Sequence, residues 1–137
     1  MPLLIVPVTA LYAGFLALLA VILAMIVIRL RWRFKVGVGD GGNRDMARAV
    51  RVHGNAIEYI PIFLVLMAVF ELNHGQPLVL HVIGALFLLG RVLHAWGLYQ
   101  SGGSSPPRMV GTVLTLTLII VLAVFNIIKV SGKVLLG

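Results

Sequence analysis

Apolar residues fall in four long segments along the chain, separated by short polar stretches. The segments Leu3–Ile28 and Met109–Ile128 contain no charged residue, and two others, at about 56–72 and 78–99, carry only a few polar side chains. A helix of about 20 apolar residues crosses the hydrocarbon core of a bilayer. The pattern therefore predicts an all-α integral membrane protein with one domain, 1–137, and four spans at about 3–28, 44–72, 77–100 and 108–130.

The polar connections predict how these helices are arranged. The glycine-rich stretch "VGVGDGGNRD" contains Asn43, a residue type favoured as a helix N-cap, directly before Arg44. The later connections, "NHGQP" and "QSGGSSPP", are short, and the prolines of the second suit the first turn of a fourth helix. Short connections predict antiparallel neighbours, and hence an up-down-up-down four-helix bundle.

Composition narrows the class of protein further. The chain is 61% hydrophobic and 11% charged, with a mean hydropathy of +1.10, which excludes an ordinary soluble domain. It has no cysteine, so disulfides, cysteine nucleophiles and cysteine-ligated metals are excluded. The first apolar run is longer than the apolar part of a signal peptide and no basic residue precedes it, so we expect a retained helix.

The formal net charge of +7 is concentrated between the first two spans. The cations of this region are Arg29, Arg31, Arg33, Lys35, Arg44, Arg48 and Arg51, whereas "ELNHGQP", after the second span, has no Lys or Arg. The positive-inside rule predicts a cytoplasmic first loop and both termini on the other side, although Lys129 and Lys133 oppose this weakly. Basic clusters also bind nucleic acid. Because topology explains this one, we expect no nucleic-acid partner.

A polar stripe runs along the second helix. Arg44, Arg48, Arg51, Asn55 and Glu58 share an arc of about 80° at the helical period, and Tyr59 borders that arc. One interpretation is structural, since polar contacts hold membrane bundles together. The other is a ligand site, because ionisable residues within spans often mark function. Arginines that bind carboxylates and a carboxylate that binds an ammonium group suit a zwitterionic ligand.

The third and fourth helices add further candidates. In "GRVLHAWGLY", Arg91 and His94 are three residues apart and share a helix face, and Arg91 lies near the depth of Glu58. We therefore predict an ion pair between Glu58 and Arg91, either structural or ligand-organising. His94 is either a hydrogen-bonded interhelical histidine or a proton shuttle. No His/Glu spacing predicts a metal site.

Arg108 opens the fourth helix after a short connection. It is either an interfacial anchor that contributes to topology or a site residue close to the ends of the second and third helices. In the second position its guanidinium would stabilise developing negative charge, such as that of a bound thiolate.

Three stretches, in order along the chain, resemble one family. "RVHGNAIEYIP" contains R-x-x-x-N-x-x-E followed closely by proline, and "GRVLHAWGLY" and "PPRMVG" resemble the third-helix and fourth-helix arginine regions. Over nearly its whole length the sequence resembles the MAPEG family, the membrane-associated proteins in eicosanoid and glutathione metabolism. The resemblance implies a homotrimer in a membrane, here the bacterial inner membrane, with glutathione bound between subunits on the cytoplasmic side.

The resemblance also implies roles for individual residues. The residues that would hold glutathione are Arg51, Asn55, Glu58, Tyr59, Arg91 and Arg48, together with Arg29 or Arg31 of a neighbouring subunit. Arg108 would be the catalytic residue, because it would stabilise the thiolate. His94 and Tyr99 are further candidates for the site. Several enzymatic members have a tyrosine seven residues after the third-helix arginine. Here that position is Leu98, and Tyr99 comes one residue later.

Three functions follow from these patterns. The first is a glutathione transferase acting on lipophilic electrophiles that arrive from the lipid, with activity extending to lipid hydroperoxides; glutathione is the co-substrate and no metal is needed. The second is a non-catalytic trimer that binds glutathione or another anionic metabolite or lipid, which Leu98 favours. The third is a small transporter with Glu58 as a proton-coupling site, which the clustering of polar residues on one side opposes.

Overall fold

Four long helices make up the chain in a computed structural model, which describes residues 5–100, 103 and 105–136, with side chains as far as Ser131. The helices are α1 (Pro7–Phe34), α2 (Arg44–Leu72), α3 (Pro77–Gln100) and α4 (Pro106–Leu136). All four are long and apolar enough to cross a membrane, and no strand occurs in the described ranges. The all-α prediction for a four-helix membrane bundle is confirmed at this level.

The predicted spans match the helices with two differences. The second and third spans coincide with α2 and α3. The first helix begins at Pro7, so residues 5 and 6 of the predicted span are not helical, and it continues past Ile28 to Phe34 because arginines that end an apolar run do not end a helix. Residues 3 and 4 of the predicted first span lie outside the described residues, as do 101, 102 and 104 of "QSGGSSPP". The fourth helix begins two residues earlier than predicted and continues to Leu136.

The helix ends have local causes. Lys35 adopts a left-handed φ of 55° and its backbone N–H donates to the Arg31 carbonyl, which closes α1. The Asn43 side chain accepts hydrogen bonds from the backbone N–H groups of Asp45 (2.9 Å) and Met46 (3.1 Å). The predicted N-cap of α2 is therefore confirmed.

Helices α2 and α3 form the centre of the bundle, since α1 packs on both of them and so does α4. The core includes fully buried Leu16, Phe63, Phe87 and Leu122. The Phe63 and Phe87 rings stack with centroids 3.6 Å apart and join α2 to α3. Each helix buries one side in this core and presents apolar side chains outward, as expected of a bundle surrounded by lipid.

The bundle has two chemically different ends. We call the end with the α1–α2 loop (residues 35–43) and the start of α4 the basic end, and the end with the α2–α3 turn (residues 73–76) the opposite end. At the opposite end, the Glu71 carboxylate accepts hydrogen bonds from the backbone N–H groups of Val8 (2.9 Å) and Thr9 (2.7 Å). First-turn N–H groups have no acceptor within their own helix. Glu71 of α2 therefore caps α1.

Helices α3 and α4 approach each other through glycines near the basic end. A Cβ atom on Gly111 would lie 2.6 Å from the His94 backbone nitrogen. A Cβ atom on Gly97 would overlap the Arg108 backbone nitrogen and lie 2.9 Å from Ser105 Oγ. Small residues allow membrane helices to pack backbone against backbone. This contact places the first turn of α4, and with it Arg108, directly against α3.

Candidate functional site

Two adjoining cavities open at the basic end, between α2, α3 and the start of α4. The larger, of about 620 Å³, is lined by Arg44, Ala47, Arg48, Arg51, Leu98, Gly103 and Arg108. The smaller, of about 240 Å³, is lined by Val50, Arg51, Gly54, Asn55, Glu58, His94, Leu98 and Arg108. They share Arg51, Leu98 and Arg108, and we treat them together as one candidate site. The larger lies within the usual size range of small-molecule sites.

The polar stripe of α2 provides one wall of this site. Its arginines and Asn55 and Glu58 line one cavity or the other because residues three and four apart share a helix face. Arg48 Nη1 lies 3.9 Å from Asp45 Oδ1, a loose pair at the surface. Arg51 and Glu58 are exposed in the single chain. These exposed charges can therefore meet a ligand at the surface of the wall.

Arg91 of α3 is buried behind that wall. Its side chain is 2% exposed, and Nη2 donates a hydrogen bond of 2.6 Å to Asn55 Oδ1. The guanidinium carbon lies 5.7 Å from the centroid of the Tyr59 ring. Nε has no hydrogen-bond partner in the described part of the chain. A buried cation is therefore held by an amide and an aromatic ring.

The predicted ion pair between Glu58 and Arg91 is wrong. No carboxylate of the described residues lies within 4.0 Å of the Arg91 guanidinium. Asn55 and Glu58 are about 60° apart around α2. Asn55 is the more buried of the two and faces α3, whereas Glu58 lies on the exposed side. Burial of a cation without a charged partner is costly, so an anion at this position would be strongly favoured.

His94 joins α3 to α4. It is 4% exposed, and Nδ1 lies 2.9 Å from Thr112 Oγ1. The predicted interhelical hydrogen bond of His94 is present. Its Nε2 is buried and has no partner in the described ranges. Sequence reasoning missed Thr112, whose only signal is its position one turn after Arg108.

Arg108 lines both cavities from the first turn of α4. Its Nη1 donates a hydrogen bond of 3.0 Å to the Gly103 carbonyl, and its own carbonyl accepts one of 2.9 Å from Thr112 Oγ1. The predicted position, close to the ends of α2 and α3, is the position that the structure shows. Arg108 is thus the α4 cation that faces the arginines of α2.

Comparison with known proteins identifies the family. The family model for the MAPEG family matches residues 9–128. The chain belongs to the MAPEG family. The "Inner membrane protein YecN" of Escherichia coli K12 is 44% identical over 93 residues, which cover 68% of this chain and 71% of the relative. The "Uncharacterized protein sll1147" of Synechocystis PCC 6803 is 37% identical over 102 residues, 72% of each chain.

The remaining predicted residues of this MAPEG chain lie outside the two cavities. Arg29 is exposed on α1, and Arg31 donates to the carbonyls of Val36 (3.4 Å) and Gly37 (2.8 Å) in its own loop. Tyr99 is exposed, whereas Leu98 is buried and lines both cavities. A role of Arg29 or Arg31 in a neighbouring subunit stays a prediction. The position where enzymatic members have a tyrosine does belong to the site.

No group of three or more histidine or acidic side chains that could hold a metal occurs in the described part of the chain. The polar side chains in the described lining of the site are guanidinium groups, one amide, one carboxylate and one imidazole. Guanidinium groups do not ligate metals, and they bind carboxylates and other anions in fixed geometry. The arrangement is therefore suited to an anionic organic ligand.

Proposed function

We propose that this chain is a homotrimeric inner-membrane glutathione transferase that activates the thiol of glutathione for attack on lipophilic electrophiles. Its activity would also include the reduction of lipid hydroperoxides. The supporting observation is a charge imbalance. Four arginines line the cavities, a fifth lies buried behind Asn55, and Glu58 is the carboxylate in the described lining. Glutathione carries two carboxylates, one ammonium group and one thiol. It is complementary to this set.

The chemistry assigned to each group follows from its charge. Arg48 and Arg51, which line the cavities, would bind the glutathione carboxylates, for which forked guanidinium groups are well shaped, and Arg91 would attract them from behind Asn55. Glu58 would bind the ammonium group. Arg108, on the facing helix, would stabilise the thiolate as it forms. The thiolate then attacks the electrophile directly, and no covalent enzyme intermediate is required.

The trimer is part of this proposal. In the single chain, Arg51 and Glu58 are exposed on the side of α2, and Arg29 is exposed on α1. Charged groups facing lipid are costly. A neighbouring subunit would cover them and bring its own Arg29 or Arg31 to the ligand, as the family resemblance implies. The basic loop would lie in the cytoplasm by the positive-inside rule.

One observation favours a second candidate, a trimer that binds glutathione or another anionic metabolite without turnover. Leu98 lines both cavities at the position where enzymatic members have a tyrosine. An aliphatic side chain cannot donate a hydrogen bond to a thiolate. The charge complementarity of the site is the same in both candidates, and they differ in thiol activation alone.

Calorimetric titration of glutathione into the detergent-purified protein tests the proposal. We expect saturable binding that is lost in Arg51→Ala and in Glu58→Ala and kept in the control Arg33→Ala, whose exposed side chain lies outside both cavities. In Arg108→Ala we expect binding to persist while turnover falls by about 10²-fold or more, typical of losing one charge-stabilising donor.

Each other outcome has a defined meaning. Unchanged binding in both variants would refute the site. Unchanged turnover in Arg108→Ala would remove this residue from the mechanism. Binding without turnover of any of a broad panel of electrophiles would establish the second candidate.

A further inference from the structure

The hydrogen bonds of His94 define which of its ring nitrogens carries hydrogen. Thr112 Oγ1 donates its one hydrogen to the Arg108 carbonyl, at 2.9 Å. The same oxygen lies 2.9 Å from His94 Nδ1, and with its hydrogen on the Arg108 carbonyl, the usual bond of a helical threonine, it accepts there from Nδ1. A neutral imidazole with hydrogen on Nδ1 has its lone pair on Nε2. We assign this tautomer to His94 from its contact with Thr112.

The lone pair on Nε2 is not used within the described chain. His94 is 4% exposed, Nε2 is itself buried, and no hydrogen-bond donor among the described residues reaches it. Buried polar atoms normally have partners, and an exception needs an explanation. His94 also lines the smaller cavity together with Arg51, Glu58 and Arg108. Nε2 is thus an acceptor without a donor, in a residue that lines a ligand cavity, and a ligand that displaces the cavity wall slightly can supply the donor.

We propose that His94 Nε2 accepts the thiol proton of bound glutathione. This inference rests on the proposed function, since it assigns the proton acceptor of the same site. The sulfur–hydrogen bond breaks, its electron pair stays on sulfur, and the proton passes to Nε2. The thiolate remains beside Arg108, and the imidazolium keeps its Nδ1 hydrogen bond to Thr112.

The reaction balances with an aryl chloride as electrophile. The thiolate forms a carbon–sulfur bond, chloride leaves with the electrons of the carbon–chlorine bond, and the proton passes from His94 to water through the cavity. Such transfer by a positioned side chain typically accelerates a step by about 10²- to 10⁴-fold.

Charged groups from three helices surround this proton transfer. Arg51 and Glu58 face the smaller cavity from α2, Arg108 faces it from α4, and Arg91 lies one turn before His94 on α3. Burial and the cations Arg91 and Arg108 oppose a positive charge on the ring, whereas Glu58 and the two carboxylates of glutathione offset these cations. The proton is therefore best accepted when glutathione is bound.

His94→Gln tests the proposal, with His53→Gln as a matched control, since His53 lies outside both cavities on the other side of α2. The probes are glutathione, S-methylglutathione, which has no thiol proton, and 1-chloro-2,4-dinitrobenzene. In His94→Gln we expect kcat to fall by about 10²-fold. Affinity for S-methylglutathione should stay within about threefold of wild type, because the carboxylate-binding arginines are unchanged.

Two further readouts separate a proton acceptor from a structural histidine. The ultraviolet thiolate absorbance of bound glutathione should be lost in His94→Gln at neutral pH and kept in His53→Gln. The kcat of His94→Gln should rise with pH by about tenfold per pH unit, since the thiolate then forms by direct ionisation. Wild-type kcat should change much less over the same range.

The outcomes are distinguishable. If the wild-type protein does not bind glutathione, the proposed function fails. If it binds and turns over glutathione and His94→Gln keeps its thiolate signal and kcat, this inference fails alone. If His94→Gln does not bind S-methylglutathione, Thr112→Val decides, because it keeps the ring and removes the acceptor that holds Nδ1. Thr112→Val should lower kcat and steepen its pH dependence, and an unchanged profile would overturn the proposal.

Discussion

Gly97→Ala should displace Arg108 from the site without changing any charged residue. The added Cβ would lie 2.9 Å from Ser105 Oγ and 3.0 Å from Arg108 Cα, and it would overlap the Arg108 backbone nitrogen. Ordinary contacts begin at 3.4 Å, so the first turn of α4 must recede by about 0.5 Å or more. Overpacking of this kind costs about 1–3 kcal/mol of the free energy of unfolding.

The displacement of Arg108 should also lower the rate of the catalysed reaction. A misplacement of about 1 Å can cost about 10²-fold in rate. We expect glutathione-dependent turnover in Gly97→Ala to fall by about 10- to 100-fold, while glutathione affinity, set mainly by the arginines of α2, changes less. The assay is steady-state turnover in detergent beside thermal unfolding of the same preparation.

Gly14→Ala is the matched control for this substitution. A Cβ atom on Gly14 of α1 meets no atom of the described residues within 4 Å. The same chemical change at this helix position should be neutral or stabilise by about 0.5–1 kcal/mol. If Gly97→Ala matched Gly14→Ala in stability and wild type in turnover, the close α3–α4 contact would not position Arg108, and our account of the site would be refuted.

Three further predictions concern other contacts. Glu71→Gln keeps one amide oxygen where two carboxylate oxygens accept hydrogen bonds from first-turn N–H groups of α1. The free energy of unfolding, measured by thermal unfolding, should therefore fall by about 1.5–3 kcal/mol. A fall no larger than in the surface variant Arg33→Ala would contradict the cap. Asn55→Asp gives Arg91 a carboxylate partner. Calorimetry should then show a higher unfolding temperature without ligand and at least about tenfold weaker glutathione binding. Unchanged affinity would mean that Arg91 is not part of the anion site. Leu98→Tyr should raise turnover severalfold while Tyr99→Phe leaves it unchanged, and the reverse order would mean that Tyr99, not position 98, faces the thiol.

Most of the fold was predictable because hydropathy depends on composition along short segments. The bounds of α2 and α3, which follow from local signals, coincide with the predicted spans, and the N-cap at Asn43 is present. The end of α1 was predicted too early because Arg29, Arg31 and Arg33 end the apolar run. Arginine favours helices, so the backbone remains helical through these residues.

The site was predictable as far as one helix determines it. The stripe on α2 follows from the helical period, and its residues do share a cavity wall. Partners between helices depend on how each helix is rotated about its axis, which sequence spacing does not contain. This is why Glu58 was predicted as the partner of Arg91 and Asn55 is the partner found. The contacts of Thr112 with His94 and of Glu71 with α1 were missed for the same reason.

The Glu71 cap has a consequence for how the chain is assembled in a membrane. Val8 and Thr9 receive their acceptor from a residue 62 or 63 positions later, at the far end of α2. Until that residue has been synthesised, the first backbone N–H groups of α1 have no such acceptor, and lipid cannot provide one. We therefore expect the start of α1 to remain in contact with water during insertion until α2 is complete. The α1–α2 hairpin is joined by a loop at one end and by the Glu71 hydrogen bonds at the other. It is then the smallest unit that we expect to enter the bilayer.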